Sequence, residues 1–581
     1  MKPIRTKTLA LVFALLMAFS LSACAGTATP SATPAPSSAA PVAETSAPAS
    51  EAPTASEAPA ETPDATGDAA FSKYDPPITI SVIRTLDDTT KFITGEDISN
   101  NPWAKLYLDE LGITFKYEWT ASTAQQYDDK LNVNIASGSL PDMLGVNRSQ
   151  LARLAKTELI NKDLGAAYEQ YASPFLKQIM TQEGTTALDS ATFDGKLVAT
   201  PNTGSSMDGA PLIWIRQDWL DKLSLKAPAT IDELTALIDA FTTKDPEGNG
   251  GPYYGLALTK DLYNGFGGFE GICNAFHAYP GIWVKDASGK LVQGSYQPEM
   301  KAALQYLQTL YKNGKIDKEF AVKDAGKESE LCVSGKIGIQ FGQMWNPLWP
   351  LQSNIDNNNK ADWVSYALPS VDGTPANPQI NLGTTSYYVV NKNFANPEAI
   401  FKLQSIFVQK GWDSTIEDYQ LYFNLTKDGT LYETFKYSFA QAWPATKNLD
   451  IHKAIVDAVK SGDTSKLNPE QKTNYTTAQS YRNGDPKGWG MYRVFDEGGS
   501  FRIIDQYVSG NLMKMNAFYG ADTATMTTKS SALSKLELET FTKIIMGDPI
   551  ENFDKFVTSA MSLGGSAIQQ EVNEWYAANA K

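Results

Sequence analysis

Histidine is nearly absent: His277 and His452 are the only two in 581 residues, and cysteine appears three times. So few imidazoles exclude a multi-histidine metal centre and disfavour Ser-His or Cys-His catalytic pairs. Three cysteines are too few for a disulfide scaffold. Positive charge is also scarce, with 50 Lys and Arg against 65 Asp and Glu for a net charge of −15. Such a chain lacks the cationic surface whose counterion release drives nucleic-acid binding, so no nucleic-acid partner is expected. After the first two dozen residues no stretch approaches the ~18 uninterrupted apolar residues of a membrane-crossing helix. What is plentiful is ring surface: 12 Trp, 26 Tyr and 25 Phe, within a hydrophobic content of 42%. The length allows about four domains of ordinary size or two large lobes.

Lys2, Arg5 and Lys7 precede an apolar run from Leu9 to Leu21. A basic segment followed by a short apolar one is the layout of an export signal. The run ends in Leu21-Ser22-Ala23-Cys24, which resembles the bacterial lipoprotein box and implies lipid attachment at the Cys24 sulfur; the alternative is a cysteine near an ordinary cleavage site. Residues 1–23 are read as the signal peptide, and their removal takes the net charge from −15 to −18, since they hold three bases and no acids. Residues 24–70 are dominated by Ala, Ser, Thr, Pro and acids, with eight prolines and no Lys or Arg after Cys24. With nothing to bury, this segment is expected to be a disordered tether. The protein is thus placed on the extracellular face of the cell membrane, held by lipid alone. Cys273 and Cys332 remain, either paired after export or as buried thiols.

The alternating, β-branched stretch Ile78 to Ile83 reads as a first strand. Periodic helical segments then alternate with strands at Ile113 to Glu118 and Leu140 to Leu144, the βαβ order of an α/β lobe. Such sheets bind ligands beyond the carboxyl ends of their strands, which brings forward Thr85 to Asp88, with Asp87, and Gly145 to Asn147.

Several blocks in serial order resemble family 1 extracellular solute-binding proteins, the receptors of oligosaccharide ABC importers, in their Gram-positive lipoprotein branch. They are Phe193 to Pro201, Pro211 to Leu220, Thr230-Ile231-Asp232-Glu233-Leu234, Gly335 to Ile339, Asn381-Leu382-Gly383, Tyr387 to Val390, Asn396-Pro397-Glu398-Ala399 and the tail segments Asn516 to Gly520, Lys543 to Gly547 and Glu571 to Tyr576. The resemblance implies an α/β, two-lobed clamp of the periplasmic-binding-protein type II kind, joined by several hinge crossings. One crossing is expected near Pro201 to Gly209 and another near Asn381 to Ser386, where small polar residues absorb backbone rotation. Lobe 1 would comprise 71–200 and about 384–440, and lobe 2 about 210–380 and 441–581. The implied function is capture of an oligosaccharide and delivery to transporter permeases by a monomer without catalysis. A secreted polysaccharide hydrolase and a sensory or peptide-binding lipoprotein are the alternatives, since carboxylate spacing is invisible in a sequence.

Sugar sites combine indole or phenol faces with planar polar groups. Trp345 and Trp349 follow the strand Ile337 to Phe341, and the resemblance places Trp345 where a maltose-type receptor stacks a ring; the alternative is a cap on the core edge. Trp489 and Tyr492 lie in Gly488-Trp489-Gly490-Met491-Tyr492, where flanking glycines are read as leaving the indole accessible. Trp214, Trp219 and Trp283 are assigned to core packing. Asp245, Glu247 and Asn249 match the start of an EF-hand-like calcium loop ending in Gly250-Gly251, but Tyr253 and Tyr254 stand where closing acids belong. Calcium thus remains an option, with a metal-free turn and no cofactor as the expectation.

The anchor reading has a direct test. Cys24→Ala should release the chain to the medium or leave an uncleaved precursor, with ligand affinity unchanged because the tether separates Cys24 from the fold. Equal membrane retention of the variant through high-salt and mild detergent washes would contradict it.

Overall fold

The computed structural model describes residues 67–579 except Asp88 and Asn359. The signal segment, Cys24 and most of the tether therefore lie outside the described residues. The described chain opens on a 3-10 turn, Gly67–Phe71, whose Ala70 is buried, so the boundary expected at residue 70 falls inside a packed turn. Lys402 fastens this start by donating to the Ser72 carbonyl at 2.7 Å and hydroxyl at 2.6 Å.

Eight strands make the two larger sheets: β1 (Ile78–Thr85), β2 (Ile113–Ala121), β3 (Met143–Asn147), β4 (Thr200–Asn202), β5 (Leu212–Arg216), β6 (Ile339–Gly342), β7 (Trp363–Tyr366) and β8 (Ser386–Val390). The first sheet runs β2-β1-β3-β8-β4, with β1 parallel to β2 and β3, and β8 antiparallel to β3 and β4. Its faces follow the period of two that strands impose. Ile80, Val82, Met143, Tyr388 and Val390 pack into one core, while Ile83, Leu144, Val146, Tyr387 and Val389 pack into another.

The second sheet, β6-β5-β7, is antiparallel throughout. All five residues of β5 are buried, because helices cover both of its faces. Ile213 and Ile215 enter a core with Trp219, Phe241 and Phe541; Leu212 and Trp214 enter one with Trp363, Ile455 and Trp489. Trp214 and Trp219 are core residues, as their sequence context implies. Cys273 and Cys332 are free, buried thiols, and burial raises both well above the ordinary thiol range.

Trp489 corrects the expectation of an accessible indole. It begins the helix Trp489–Phe495 and is 0% exposed, with its N–H donating to Asp362 Oδ1 at 3.1 Å. The flanking glycines serve close approach instead of looseness. A Cβ at Gly488 would lie 2.4 Å from both Ser480 Oγ and the Thr477 carbonyl oxygen, and one at Gly490 would lie 3.1 Å from Leu348 and the Pro347 carbonyl oxygen. Arg493 completes the arrangement by donating to both carboxylate oxygens of Asp362, at 3.1 and 2.5 Å.

Trp489→Ala should therefore cost about 3 to 5 kcal/mol of folding stability through the cavity it leaves. Denaturant titration of the mature chain checks this; a variant that unfolds with the parent would place the indole outside the core.

Candidate functional site

The chain leaves the first sheet at Asn202 and enters the second at Leu212, and it returns by β8, which starts at Ser386. These two crossings touch at glycine. A Cβ on Gly383 would lie 2.5 Å from the Gly204 carbonyl oxygen, and one on Gly204 3.0 Å from that of Gly383. Ser206 Oγ accepts from the Gly383 N–H at 2.8 Å and donates to Glu183 at 2.6 Å. A third segment runs beside them: the Trp443 N–H donates to the Thr203 carbonyl at 3.2 Å, and Thr203 Oγ1 donates to that of Trp443 at 2.9 Å.

Where these crossings meet the carboxyl end of β3, two cavities of about 300 and 360 Å³ share Arg148, Asn516, Phe518, Gly520 and Asp522 as lining. The outer one adds Asn147, Ser149, Asn381, Leu382 and Thr385. The inner one extends into the second lobe, past Trp283, Gln293 and Tyr296 to Glu537 on the helix Ala524–Ile545. Residues of the β3 end thus face residues that follow the second sheet, and Ser149 Oγ donates across to Asp522 Oδ2 at 3.0 Å.

Several lining groups are held by the local fold. Asn147 is the N-cap of the helix Arg148–Ala155, in a capping box with Gln150. Arg148 donates to the Tyr387 hydroxyl at 3.2 Å and the Thr384 carbonyl at 2.8 Å, which fixes the guanidinium against the crossing. Asn516 accepts from the Trp283 and Phe518 N–H groups and donates to Asn381 Oδ1 at 2.9 Å. Phe518 meets Trp283 and Trp575 edge-on, with centroids 6.2 and 4.9 Å away. Tyr263 donates to Glu537, whose carboxyl is raised from the ordinary range by burial. The neighbouring Glu270 is pushed up to about 7 by desolvation and by Asp261.

Of the residues singled out from the sequence, Asn147 lines this cavity. Asp87 is an exposed loop acid that accepts from Thr89 and Thr90, and those bonds lower its carboxyl. Asp88, its neighbour, lies outside the described residues. Trp345 is half-buried, donates to Gln343 Oε1 at 2.7 Å, and stacks on Trp349 at 6.2 Å and 26°. Trp349 is 42% exposed, with Phe266 against its edge. Tyr492 is packed by Tyr481 and lies under the guanidinium groups of Arg482 and Arg493. Arg148, Gln293, Asp522 and Glu537 carry no sequence signal of their own. Asn516 and Phe518 belong to a segment marked only by resemblance, and Trp283, placed in the core, also lines the cavity.

In the 245–253 loop the side chains that match a calcium loop are paired within the chain. Asp245 accepts from the N–H groups of Gly248, Asn249 and Gly250, and Tyr253 donates its hydroxyl to Asp245 at 2.5 Å and to Asn249 Oδ1 at 2.7 Å. Glu247 turns away to the buried Arg216 at 2.7 Å and the Trp219 N–H at 3.0 Å. The phenol therefore bridges two of the oxygens a metal would need, and the third is spent on an ion pair. Among the described residues no cluster of three or more His, Cys, Asp or Glu gathers as a metal site.

The chain is similar to several known proteins. The polygalacturonan/rhamnogalacturonan-binding protein YtcQ of Bacillus subtilis is 31% identical over 245 residues, 41% of this chain and 45% of that protein. The fructooligosaccharide ABC transporter substrate-binding protein FusA of Streptococcus pneumoniae is 27% identical over 309 residues, 49% of this chain and 54% of its own. The matched stretches thus span about half the length of these relatives. The structure of FusA in complex with kestose superposes with a TM-score of 0.55 at 17% identity, covering 86% of this chain and 100% of that one. An extracellular solute-binding protein from Bifidobacterium longum subsp. infantis gives 0.61 at 17% identity, covering 88% of this chain and all of the other. The fold is therefore the two-lobed one of solute-binding proteins. A family model for bacterial extracellular solute-binding proteins matches residues 103–401, just over half of the chain, and the chain belongs to that family.

Proposed function

We propose that this protein is the substrate-binding component of an ABC importer, capturing an oligosaccharide between its lobes and presenting it to the permeases. The observation that carries this reading is the cavity at the lobe junction, where Asn147 to Ser149 face Asn516 to Asp522 across a hinge of three crossings. Its lining mixes ring faces with amides, hydroxyls and charged groups, the composition that packs on sugar C–H surfaces and satisfies sugar hydroxyls. Relatives that bind polygalacturonan and fructooligosaccharide support the ligand class. The lipoprotein-like leader supports attachment at Cys24 to the outer face of the membrane, and a relative named as lipoprotein LipO agrees with it. The half-buried Trp345 and the exposed Trp349 supply a further stacking face, and the 245–253 loop serves as a metal-free turn closed by Tyr253.

Three measurements on the mature chain test this reading. Oligosaccharide that binds only the folded state should raise the melting temperature progressively with concentration; a flat response across neutral and acidic oligosaccharides would contradict the function. Trp345→Ala should weaken the bound oligosaccharide roughly ten- to a hundredfold, from about 1 to 3 kcal/mol of lost ring contact, while changing stability less. Parent affinity with a greatly lowered melting temperature would make Trp345 a core residue. Excess chelator should leave the melting temperature in place; a drop reversed by calcium would show that the loop holds metal.

A further inference from the structure

The inner cavity is lined by a residue whose hydrogen-bond acceptor the protein leaves without a donor. Gln293 Oε1 is buried and has no partner in the protein, although its side chain lines the cavity. A buried acceptor left this way is costly unless a ligand or water donates to it. Glu537 faces the same space, held by Tyr263. The charged lining consists of two acids, Asp522 and Glu537, and one base, Arg148, whose guanidinium is held in place by the neutral oxygens of Tyr387 and Thr384. The rings of Trp283 and Tyr296 flank the acceptors.

We propose that Gln293 and Glu537 form a subsite that reads the hydroxyl groups at the end of a neutral oligosaccharide and turns away a chain carrying a uronate there. Hydroxyls bring the donor that the amide oxygen lacks, and they can donate to the carboxylate beside the bond from Tyr263. A uronate brings an acceptor with a negative charge, which cannot donate to the Gln293 oxygen and is repelled by Glu537. Burial has already raised the Glu537 carboxyl, and a second anion in the same low-dielectric space adds repulsion. The inference rests on the oligosaccharide reading above. It gives this chain a preference opposite to that stated in the name of its polygalacturonan-binding relative.

Calorimetric titration of the mature chain with neutral fructo-, xylo- and manno-oligosaccharides, and with galacturonate oligomers of matched length, tests it. The expected result is binding within the neutral set, with the galacturonate oligomers at least roughly a hundredfold weaker, as an unpaired buried charge requires. Gln293→Leu should weaken the neutral ligand roughly tenfold or more at an unchanged melting temperature. Glu537→Gln, which keeps the shape and an acceptor but removes the charge, should narrow the gap between neutral and acidic ligands. Galacturonate binding as tight as the best neutral ligand would overturn the subsite and leave the oligosaccharide reading standing. So would a Glu537→Gln variant with the parent's discrimination, which needs no change at Gln293. Failure of every saccharide in both sets to bind would overturn both.

Discussion

The two crossings meet backbone to backbone at Gly204 and Gly383, and the remainder of the site depends on that contact. A side chain at either position would push the segments apart, since a Cβ on Gly383 would lie 2.5 Å from the facing carbonyl oxygen. Their close approach lets Ser206 bond to the Gly383 N–H, and it sets Asn381, Leu382 and Thr385 against the end of β3. Asn516 then reaches Asn381, and Ser149 reaches Asp522. Movement of the lobes would be absorbed by these few residues, while the packed cores on either side transmit it as rigid bodies.

Much of the fold was legible in the sequence because strands and helices repeat. Ile78 to Ile83 alternates as a half-buried strand must, and Leu212 to Arg216 is apolar enough to be covered on both faces. The site was less legible because it joins residues with no shared period. Gln293, Asn516 and Glu537 come together from distant parts of the sequence, and Arg148 and Asn381 meet Asn516 only at the crossings. Asn147, singled out for its place at a strand end, lines one of the cavities there. Trp489 was misread for a specific reason: a glycine supplies either backbone freedom or room for a neighbour, and only the neighbours, here Ser480, Thr477 and Leu348, decide which.

The same distinction separates the rings by use. Trp214, Trp219 and Trp489 stabilise the second lobe from within, whereas Trp283 and Phe518 belong both to its core and to the cavity wall. A wall continuous with a packed core is pre-organised, so little ordering entropy is lost when a ligand arrives. The fixed Arg148 and Asn516 side chains contribute in the same way. The cavity therefore resembles a rigid template whose two halves are carried on separate lobes.

The central claim is that ligand binds between the lobes, in contact with both. A crystal structure of the mature chain with its tightest oligosaccharide tests this most directly. The account predicts sugar density touching Asn147 to Ser149 on one side and Asn516 to Asp522 on the other. Density confined to the surface of one lobe, with these segments untouched, would contradict it.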